Sequence, residues 1–405
     1  MPACRIVLVL SALLLPGLIP SQAQTAPRCD DLVDKDGRRW QSRGAVEYAK
    51  EVEDATERWE RPRHLNVLKP PSQMTLDELA HAMRPVALVN GCEYVREPDV
   101  QLAEWVQRYQ NTTLTYEGSR GSAPSEPEIE EGPSARTSLK GAGQRMTIIG
   151  SDLREKRRDN TSYPMRTQVL LSNLSGGGRC SGTMIGASTM ITAAHCVHDG
   201  DTWKATKTWS PGVDSQDAVD FPFNPWASYP SNNASNPMVF QCYVVTVPGG
   251  YADGADSEWD FAVIEFSNMF PEIQNCNLFP GNTVGWLGWG SQSSSTIEGT
   301  TNYIYGYPGN STATKCGVAG GTCAGGPCNW PQIWGWGRSD VDVDGETLEH
   351  RIDTTGGQSG SGVYNKAQGF RKVIGIHQGC NSSTENRARR IDSTVIGFVK
   401  SNSAL

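Results

Sequence analysis

The chain divides into two parts with different patterns of apolar and polar positions. Up to about residue 115, charged residues are frequent and apolar residues recur at helical spacing, as Leu102, Trp105 and Val106 do. Three helices are predicted on this basis: residues 47–60, residues 79–83 behind the capping-box sequence Thr75-Leu-Asp-Glu78, and residues 100–109. The front part is therefore predicted to be mainly helical.

After Met146 the pattern changes to short β-branched and aromatic runs separated by Gly, Asn, Ser and Pro. The runs that predict strands are residues 168–171, 239–247, 261–266, 301–307 and 372–377. Many short strands with frequent turn residues are typical of an all-β barrel or sandwich. Only the tail, residues 394–400, has a helical pattern.

Two further segments set the predicted boundaries. Residues 116–146 are rich in Gly, Ser, Pro and Glu, which predicts an exposed linker. Arg5, the apolar run 6–15 and the small residues around Ala23 predict a secretory signal over residues 1–23. The apolar run is too short for a comfortable transmembrane helix, and no other segment is a candidate span. We therefore expect a soluble protein that is secreted and remains extracellular.

Charge and cysteine usage agree with export. The 405-residue chain has a net charge of −8 and no basic tract, which argues against binding nucleic acid. Of its 11 cysteines, Cys4 lies in the signal, Cys29 and Cys92 in the front part, and eight from Cys180 onward. Even numbers in both mature segments suit disulfides formed outside the cytosol. Six sequons permit glycosylation in a eukaryotic host: Asn111, Asn160, Asn173, Asn233, Asn310 and Asn381.

Three short motifs carry the candidate chemistry. Ser359 stands among glycines in Gly-Gln-Ser-Gly-Ser, His195 stands in Thr-Ala-Ala-His-Cys, and Asp260 precedes the alternating run 261–266. A serine needs a base to take its proton and donors to stabilise the developing charge. The order His, Asp, Ser along the chain is that of the chymotrypsin class of serine proteases.

Each motif also has a simpler interpretation. A serine among glycines is often only a turn, and an aspartate before a strand is often a solvated cap. A histidine beside a cysteine can be a core residue or a metal ligand, but no second ligand pair at zinc spacing accompanies His195. The occurrence of all three motifs in order, in an exported chain, favours a catalytic triad.

From Thr147 to the end, the chain resembles the bacterial glutamyl endopeptidases, a branch of the chymotrypsin-like serine proteases. The matching stretches are residues 147–152, 160–164, 192–196, 281–285, 306–309, 353–362 and 375–379. The resemblance implies two six-stranded antiparallel β-barrels (about 147–280 and 281–405) with a short C-terminal helix and the active site between the barrels. It also implies a disulfide between Cys180 and Cys196.

The resemblance further implies the roles of the site residues. Ser359 is the nucleophile, His195 the general base and acid, and Asp260 the residue that orients His195. The backbone N–H groups of Gly357 and Ser359 form the oxyanion hole. Thr354 and His377 line the pocket for a substrate glutamate, whose carboxylate needs hydrogen-bond donors when it is buried.

Asp353 supports a competing specificity. An acid six residues before the nucleophile binds Arg or Lys of the substrate in trypsin-like enzymes, although glutamyl endopeptidases can carry an aspartate there that points away from the pocket. His377 decides in favour of glutamate, because typical trypsins lack a histidine at that spacing.

Two departures from the resemblance concern activation and access. Gln358 replaces the aspartate that pairs with the new N-terminus in trypsin-type zymogens, and Gly362 replaces a proline. The segment 316–337, with three cysteines and three tryptophans, is predicted to be a disulfide-tied surface insertion.

The sequence thus predicts a serine endopeptidase that is made as a zymogen and cuts after Glu and also Asp. Residues 24–146 are its propeptide, and residues 147–405 are the protease domain. Protein or peptide substrates and its own propeptide are the expected partners of a monomer that needs no metal or cofactor. The alternatives are Arg/Lys specificity through Asp353, a protease-like binding protein without activity, and an independent binding domain in the front part.

Overall fold

A computed structural model describes residues 28–46, 69–122, 149, 153–157, 160, 162–173, 179–204, 207–212, 243–274, 278–308, 333–380 and 384–405. The predicted signal, the helix predicted at 47–60 and most of the linker and of the 316–337 insertion lie outside these residues. Within these residues the structure contains twenty strands and six α-helices.

Twenty strands make up two sheets. The front part contributes β1 Leu32–Val33, β2 Arg39–Ala45, β3 Pro85–Val89, β4 Cys92–Val95 and β5 Thr115–Tyr116. The next strands are β6 Glu155–Lys156, β7 Gln168–Asn173, β8 Arg179–Met184, β9 Thr189–Thr192, β10 Lys207–Pro211, β11 Val244–Pro248 and β12 Ala262–Glu265. The last are β13 Gly288–Gly290, β14 Asn302–Gly306, β15 Trp334–Arg338, β16 Val341–Asp344, β17 Thr347–His350, β18 Gly362–Asn365, β19 Lys372–Cys380 and β20 Asn386–Arg390.

The first sheet has the order β1-β2-β4-β3-β11-β12-β9-β8-β7-β10, and the second runs β16-β17-β20-β19-β18-β14-β15-β6 with β13 and β5 attached through β19. Nearly all neighbours are antiparallel; β13 and β19 are the parallel pair. The predicted all-β chymotrypsin-like class is confirmed. β6, which falls within the predicted first barrel, pairs with β15 in the second sheet.

Six helices accompany the sheets: α1 Leu76–Ala82, α2 Val100–Arg108, α3 Gly249–Ala252, α4 Pro280–Val284, α5 Ser294–Glu298 and α6 Ser393–Ser401. The predicted capping box is present at Thr75 and Glu78, and the predicted helices at 100–109 and 394–400 are α2 and α6. No helix within the described residues is long and apolar enough to cross a membrane.

The described front residues are not mainly helical, because five strands lie there beside α1 and α2. The key strand is β3, Pro-Val-Ala-Leu-Val, whose five residues are all buried between β4 and β11. A short, continuous apolar run has neither helical nor alternating periodicity, so the hydrophobic pattern does not reveal it. The expected exposed linker also begins later than residue 116, since Ser119 pairs with Trp286.

The main apolar core joins front residues such as Val86 and Val106 to Val245, Tyr251 and Phe398. A smaller cluster places Trp40 and Tyr94 against Phe270. A third lies inside the second sheet, around Ile304, Val363 and Ile374. The front part is therefore built into the same core as the rest of the chain.

Candidate active site

The first sheet brings His195 and Asp260 together. β9 ends at Thr192, which pairs with Ala262 at the start of antiparallel β12. The three-residue 3-10 turn Ala194–Cys196 follows β9, and Asp260 lies just before β12. Both side chains therefore lie beside the adjacent ends of two neighbouring strands, and the pairing of these strands fixes their separation.

Asp260 holds His195 at two points. Its Oδ2 lies 2.8 Å from Nδ1 of His195, and its Oδ1 accepts the backbone N–H of His195 at 2.9 Å. Burial raises the pKa of Asp260, but the His195 charge and hydrogen bonds and the charge of Arg387 outweigh burial and leave that pKa below its usual value. Asp260 is therefore ionised and orients the imidazole through Nδ1.

The second sheet presents Ser359. Gly362, the first residue of β18, pairs with Ile376 of β19, so Ser359 lies beside His377 and Gln378. Its hydroxyl donates to the carbonyl of Gln378 at 3.3 Å. No hydrogen bond joins Ser359 to His195 among the described residues, a common state for a substrate-free site, since such bonds tighten when substrate binds.

The two sheets meet at the Ser359 turn. The amide of Ser181 donates to the carbonyl of Ser359 at 2.7 Å, and the hydroxyl of Ser181 donates to the carbonyl of Gly357 at 2.8 Å. Gly360 has a φ of +86°, and a Cβ there would lie 2.1 Å from both Ser181 O and Thr192 Oγ1. Glycine is therefore required at residue 360 for its conformation and for the space.

The predicted oxyanion donors lie in this turn. Gly357 has a φ of +95°, a conformation in which successive amides can turn toward one point. In the described part of the chain, no hydrogen bond uses the amides of Gly357 or Ser359. Both N–H groups remain able to bind an oxyanion.

The disulfide implied by the resemblance is present. Cys180 and Cys196 are joined, with the Sγ of Cys196 3.6 Å from the carbonyl oxygen of Ser359. These two sulfurs and a ring nitrogen of His195 lie within 4.8 Å of one another. Because the sulfurs are bonded to each other, they are not the thiolates that a metal ion would need.

His377 and Thr354 are both buried. Burial, with a smaller contribution from the charge of His195, lowers the pKa of His377 to about 3. His377 is therefore neutral near pH 7 and its ring carries one N–H; the ring also makes a hydrogen bond with the backbone of Arg387. Its Nδ1 lies 3.3 Å from Nε2 of His350, a second fully buried histidine on β17 that the sequence analysis did not identify.

Asp353 is fully buried, and its carboxylate accepts hydrogen bonds from main-chain amides. Its Oδ1 accepts the amide of Ile149 at 2.8 Å, and its Oδ2 accepts the amide of Leu153 at 2.9 Å. Both oxygens thus hold the segment that precedes β6, and the carboxylate is committed to that segment.

Gln358 also has an internal role. Its Oε1 accepts the amide of Thr355 at 3.0 Å and the guanidinium of Arg154 at 3.1 Å, and its Nε2 donates to the carbonyl of Trp334 at 3.2 Å. Arg154, just before β6, thus reaches the residue beside Ser359.

Gln378 connects the two sheets and was missed by the sequence analysis. Its Nε2 donates to the carbonyl of Ser257 at 2.7 Å and to that of Asp260 at 3.2 Å, while its Oε1 accepts from Arg387 at 2.7 Å. Its position beside His377 in the motif was visible, but its partners are 9 to 121 residues away.

A serine, a histidine and an aspartate at the junction of two antiparallel sheets is the arrangement of the chymotrypsin class. A family model for the trypsin-like peptidase domain matches residues 180–376. Over these residues the chain is similar to the trypsin-like serine endopeptidases, and it carries the glutamyl endopeptidase resemblance predicted from its motifs.

Two curated relatives extend beyond this domain. A glutamyl endopeptidase of Bacillus licheniformis is 32% identical over 260 residues, which are 62% of this chain and 66% of that protein. A protein of Bacillus subtilis named extracellular metalloprotease is 28% identical over 263 residues, 64% of this chain and 70% of its own. A solved Glu endopeptidase in complex with MPD is 24% identical, with a TM-score of 0.45, over 63% of this chain and 98% of that one.

Proposed function

We propose that this protein is a secreted serine endopeptidase, made as a zymogen, that cleaves peptide bonds after Glu and also after Asp. The observation that carries the proposal is the double contact of Asp260 with His195 at the junction where the Ser359 turn meets the first sheet.

The proposed reaction follows from these positions. His195 takes the proton of the Ser359 hydroxyl as this hydroxyl attacks the scissile carbonyl, and Asp260 stabilises the imidazolium. The amides of Gly357 and Ser359 hold the oxyanion, and each such donor contributes about 3 kcal/mol to transition-state stabilisation. His195 then protonates the leaving amine, and water hydrolyses the acyl-enzyme by the same steps in reverse.

Specificity for an acidic side chain rests on His377 and Thr354. A neutral imidazole N–H and a hydroxyl donate to a carboxylate without bringing a fixed charge into a buried pocket. The contact between His350 and His377 can fix the orientation of the His377 ring. The name of the Bacillus licheniformis relative also supports Glu specificity.

The contacts of Asp353 argue against Arg/Lys specificity. Both of its oxygens accept main-chain amides, so a substrate cation would compete with two charge-assisted hydrogen bonds. Glutamate preference is the proposal, and Arg/Lys preference is the alternative that the assay below detects.

Processing completes the proposal. Residues 1–23 are the signal, 24–146 the propeptide, and the protease region starts near Thr147, after a cut in the linker, where Glu126, Glu128, Glu130 and Glu131 are sites for self-cleavage. Among the sequons, Asn160 is buried and donates to the carbonyl of Gly212, whereas Asn111 is exposed and the better acceptor.

The test is a panel of peptides that differ only at the residue before the scissile bond, incubated with processed protein and with the Ser359→Ala variant. The expected result is strong cleavage after Glu, weaker cleavage after Asp and none in the variant. Cleavage after Arg or Lys would transfer the specificity to Asp353. No cleavage, together with no labelling by a fluorophosphonate, would leave a protease-like binding protein.

A further inference from the structure

The front segment, defined here as residues 28–122, shares its sheets with the peptidase region, defined here as residues 149–405. β3 pairs with β11 over four residue pairs, from Val245 with Leu88 to Pro248 with Pro85. β5 pairs with β13, at Trp289 and Gly290. All five residues of β11 are buried, so without β3 this strand would be an exposed apolar edge.

The apolar cores are also shared. α2 packs against α6, where a Cβ on Gly397 would lie 2.9 Å from Cγ2 of Val106 and 3.2 Å from Cδ1 of Leu102. Trp40 lies edge-on to Phe270 with ring centroids 5.5 Å apart. A contact of this kind, with aromatic and aliphatic residues from both sides in one core, is typical of an obligate interface.

Polar contacts surround these apolar ones. Arg84 forms an ion pair with Asp253 at 2.6 Å, and the indole of Trp203 donates to Glu93 at 2.7 Å. The hydroxyl of Ser401 accepts from Arg96 at 2.8 Å. Three separate parts of the peptidase region thus have polar partners in the front segment.

At two glycines, the main chain of the front segment lies very close to the main chain of the peptidase region. Gly290 has a φ of +146°, and a Cβ there would lie 2.0 Å from the carbonyl oxygen of Leu114. A Cβ on Gly118 would lie 2.5 Å from the amide nitrogen of Gly288. Only glycine allows the two main chains to lie so close.

Within the described residues, no disulfide joins the front segment to the peptidase region. The disulfide of the front segment joins Cys29 to Cys92, both within the segment. Its contacts reach β11, α3, α6, β13 and Trp203; among the described residues, none of its hydrogen bonds or ion pairs involves Ser359, Thr354 or His377.

We infer that the front segment is a permanent subunit, not a removable inhibitor: after the chain is cut between residues 123 and 148, residues 28–122 remain bound to residues 149–405. The partner of this surface is the protein's own front segment. The inference rests on the proposed function only for the position of the natural cut, and its test needs no activity.

The experiment uses the full chain with Ser359→Ala, to prevent self-cleavage, and a recognition sequence for a site-specific protease inserted within residues 123–148. After complete cutting, a denaturing gel shows two fragments. The expected result is that both elute together from a sizing column, with the native mass of the uncut chain. Separate elution, with a folded peptidase fragment by circular dichroism, would overturn the inference.

Two variants on α2 locate the interface. Val106→Ala removes apolar contact with α6, and we expect it to raise the dissociation constant of the cut pair at least about ten-fold. The matched control, Glu104→Ala on the exposed side of the same helix, should leave that constant unchanged. Equal dissociation constants for both variants and the parent would contradict the interface described here.

Discussion

The two sheets supply different parts of the site by different means. The first sheet supplies His195 and Asp260 from the ends of neighbouring strands, with one carboxylate making both contacts. The second supplies Ser359 from the turn before β18 and the buried pair His350 and His377 from β17 and β19. Side chains proposed for the general chemistry thus lie at or just beyond strand ends, whereas those proposed to bind the substrate side chain are buried and affect stability too.

The largest effect expected to sharpen this difference is on catalysis alone. Asp260→Asn places an amide against Nδ1 of His195 and favours the wrong tautomer, so kcat should fall about 10⁴-fold with little change in unfolding free energy. Turnover of the preferred peptide, with denaturant unfolding in parallel, measures both. Asp340→Asn, at an exposed acid between β15 and β16, is the control, and a ten-fold loss or less in Asp260→Asn would contradict the proposed role.

The converse effect is expected for Asp353. Asp353→Asn replaces a carboxylate that accepts two buried amides, so we expect the free energy of unfolding to fall by about 2–4 kcal/mol. The ratio of cleavage after Glu to cleavage after Lys should not change. Urea unfolding and the peptide panel test the two statements separately, and a shift in that ratio would show that Asp353 faces the substrate.

Acid should destabilise both sheets through buried histidines. Burial lowers the pKa of His198 to about 4 and, with the charge of His195, that of His377 to about 3, whereas in the unfolded chain histidine titrates near 6.5. Between these values the unfolded chain binds more protons. The free energy of unfolding is therefore highest above pH 6.5 and decreases as the pH is lowered. At pH 5, each buried histidine has reduced it by roughly 2 kcal/mol.

His198→Gln isolates the contribution of one buried histidine to the pH dependence of stability. We expect its unfolding free energy to fall less between pH 7 and pH 5 than that of the parent, by about 2 kcal/mol. His81→Gln, at an exposed position of α1, is the matched control. Identical pH dependence in the parent and His198→Gln would mean that His198 takes up a proton as readily in the folded protein as in the unfolded chain.

The smallest predicted effect on catalysis concerns Gln378, whose side chain links the two sheets. Gln378→Met keeps the volume but removes the hydrogen bonds to Ser257, Asp260 and Arg387. Because Asp260 would be less well positioned, we expect kcat to fall about ten-fold with KM nearly unchanged. A rise in KM at constant kcat would instead assign Gln378 to substrate binding.

The sequence allowed prediction of the fold class, the three candidate catalytic residues and the helices α2 and α6. These features depend on local patterns: a glycine-rich turn around Ser359 and helical spacing at residues 100–109. The strands of the front part were not predictable, because β3 is a five-residue apolar run that only its neighbours define as a strand. His350, Arg154 and Gln378 were missed because their partners are distant along the chain.

Gly360 has a consequence for how this enzyme can change. Its missing side chain sets how closely the Ser359 turn approaches Ser181 and Thr192. Any side chain at residue 360 would push the Ser359 turn away from Ser181 and Thr192, and so away from the strand end that positions His195. No single replacement there can therefore be neutral. In a library of variants, residue 360 should tolerate glycine alone, and diversification of this active site must proceed through the residues around it.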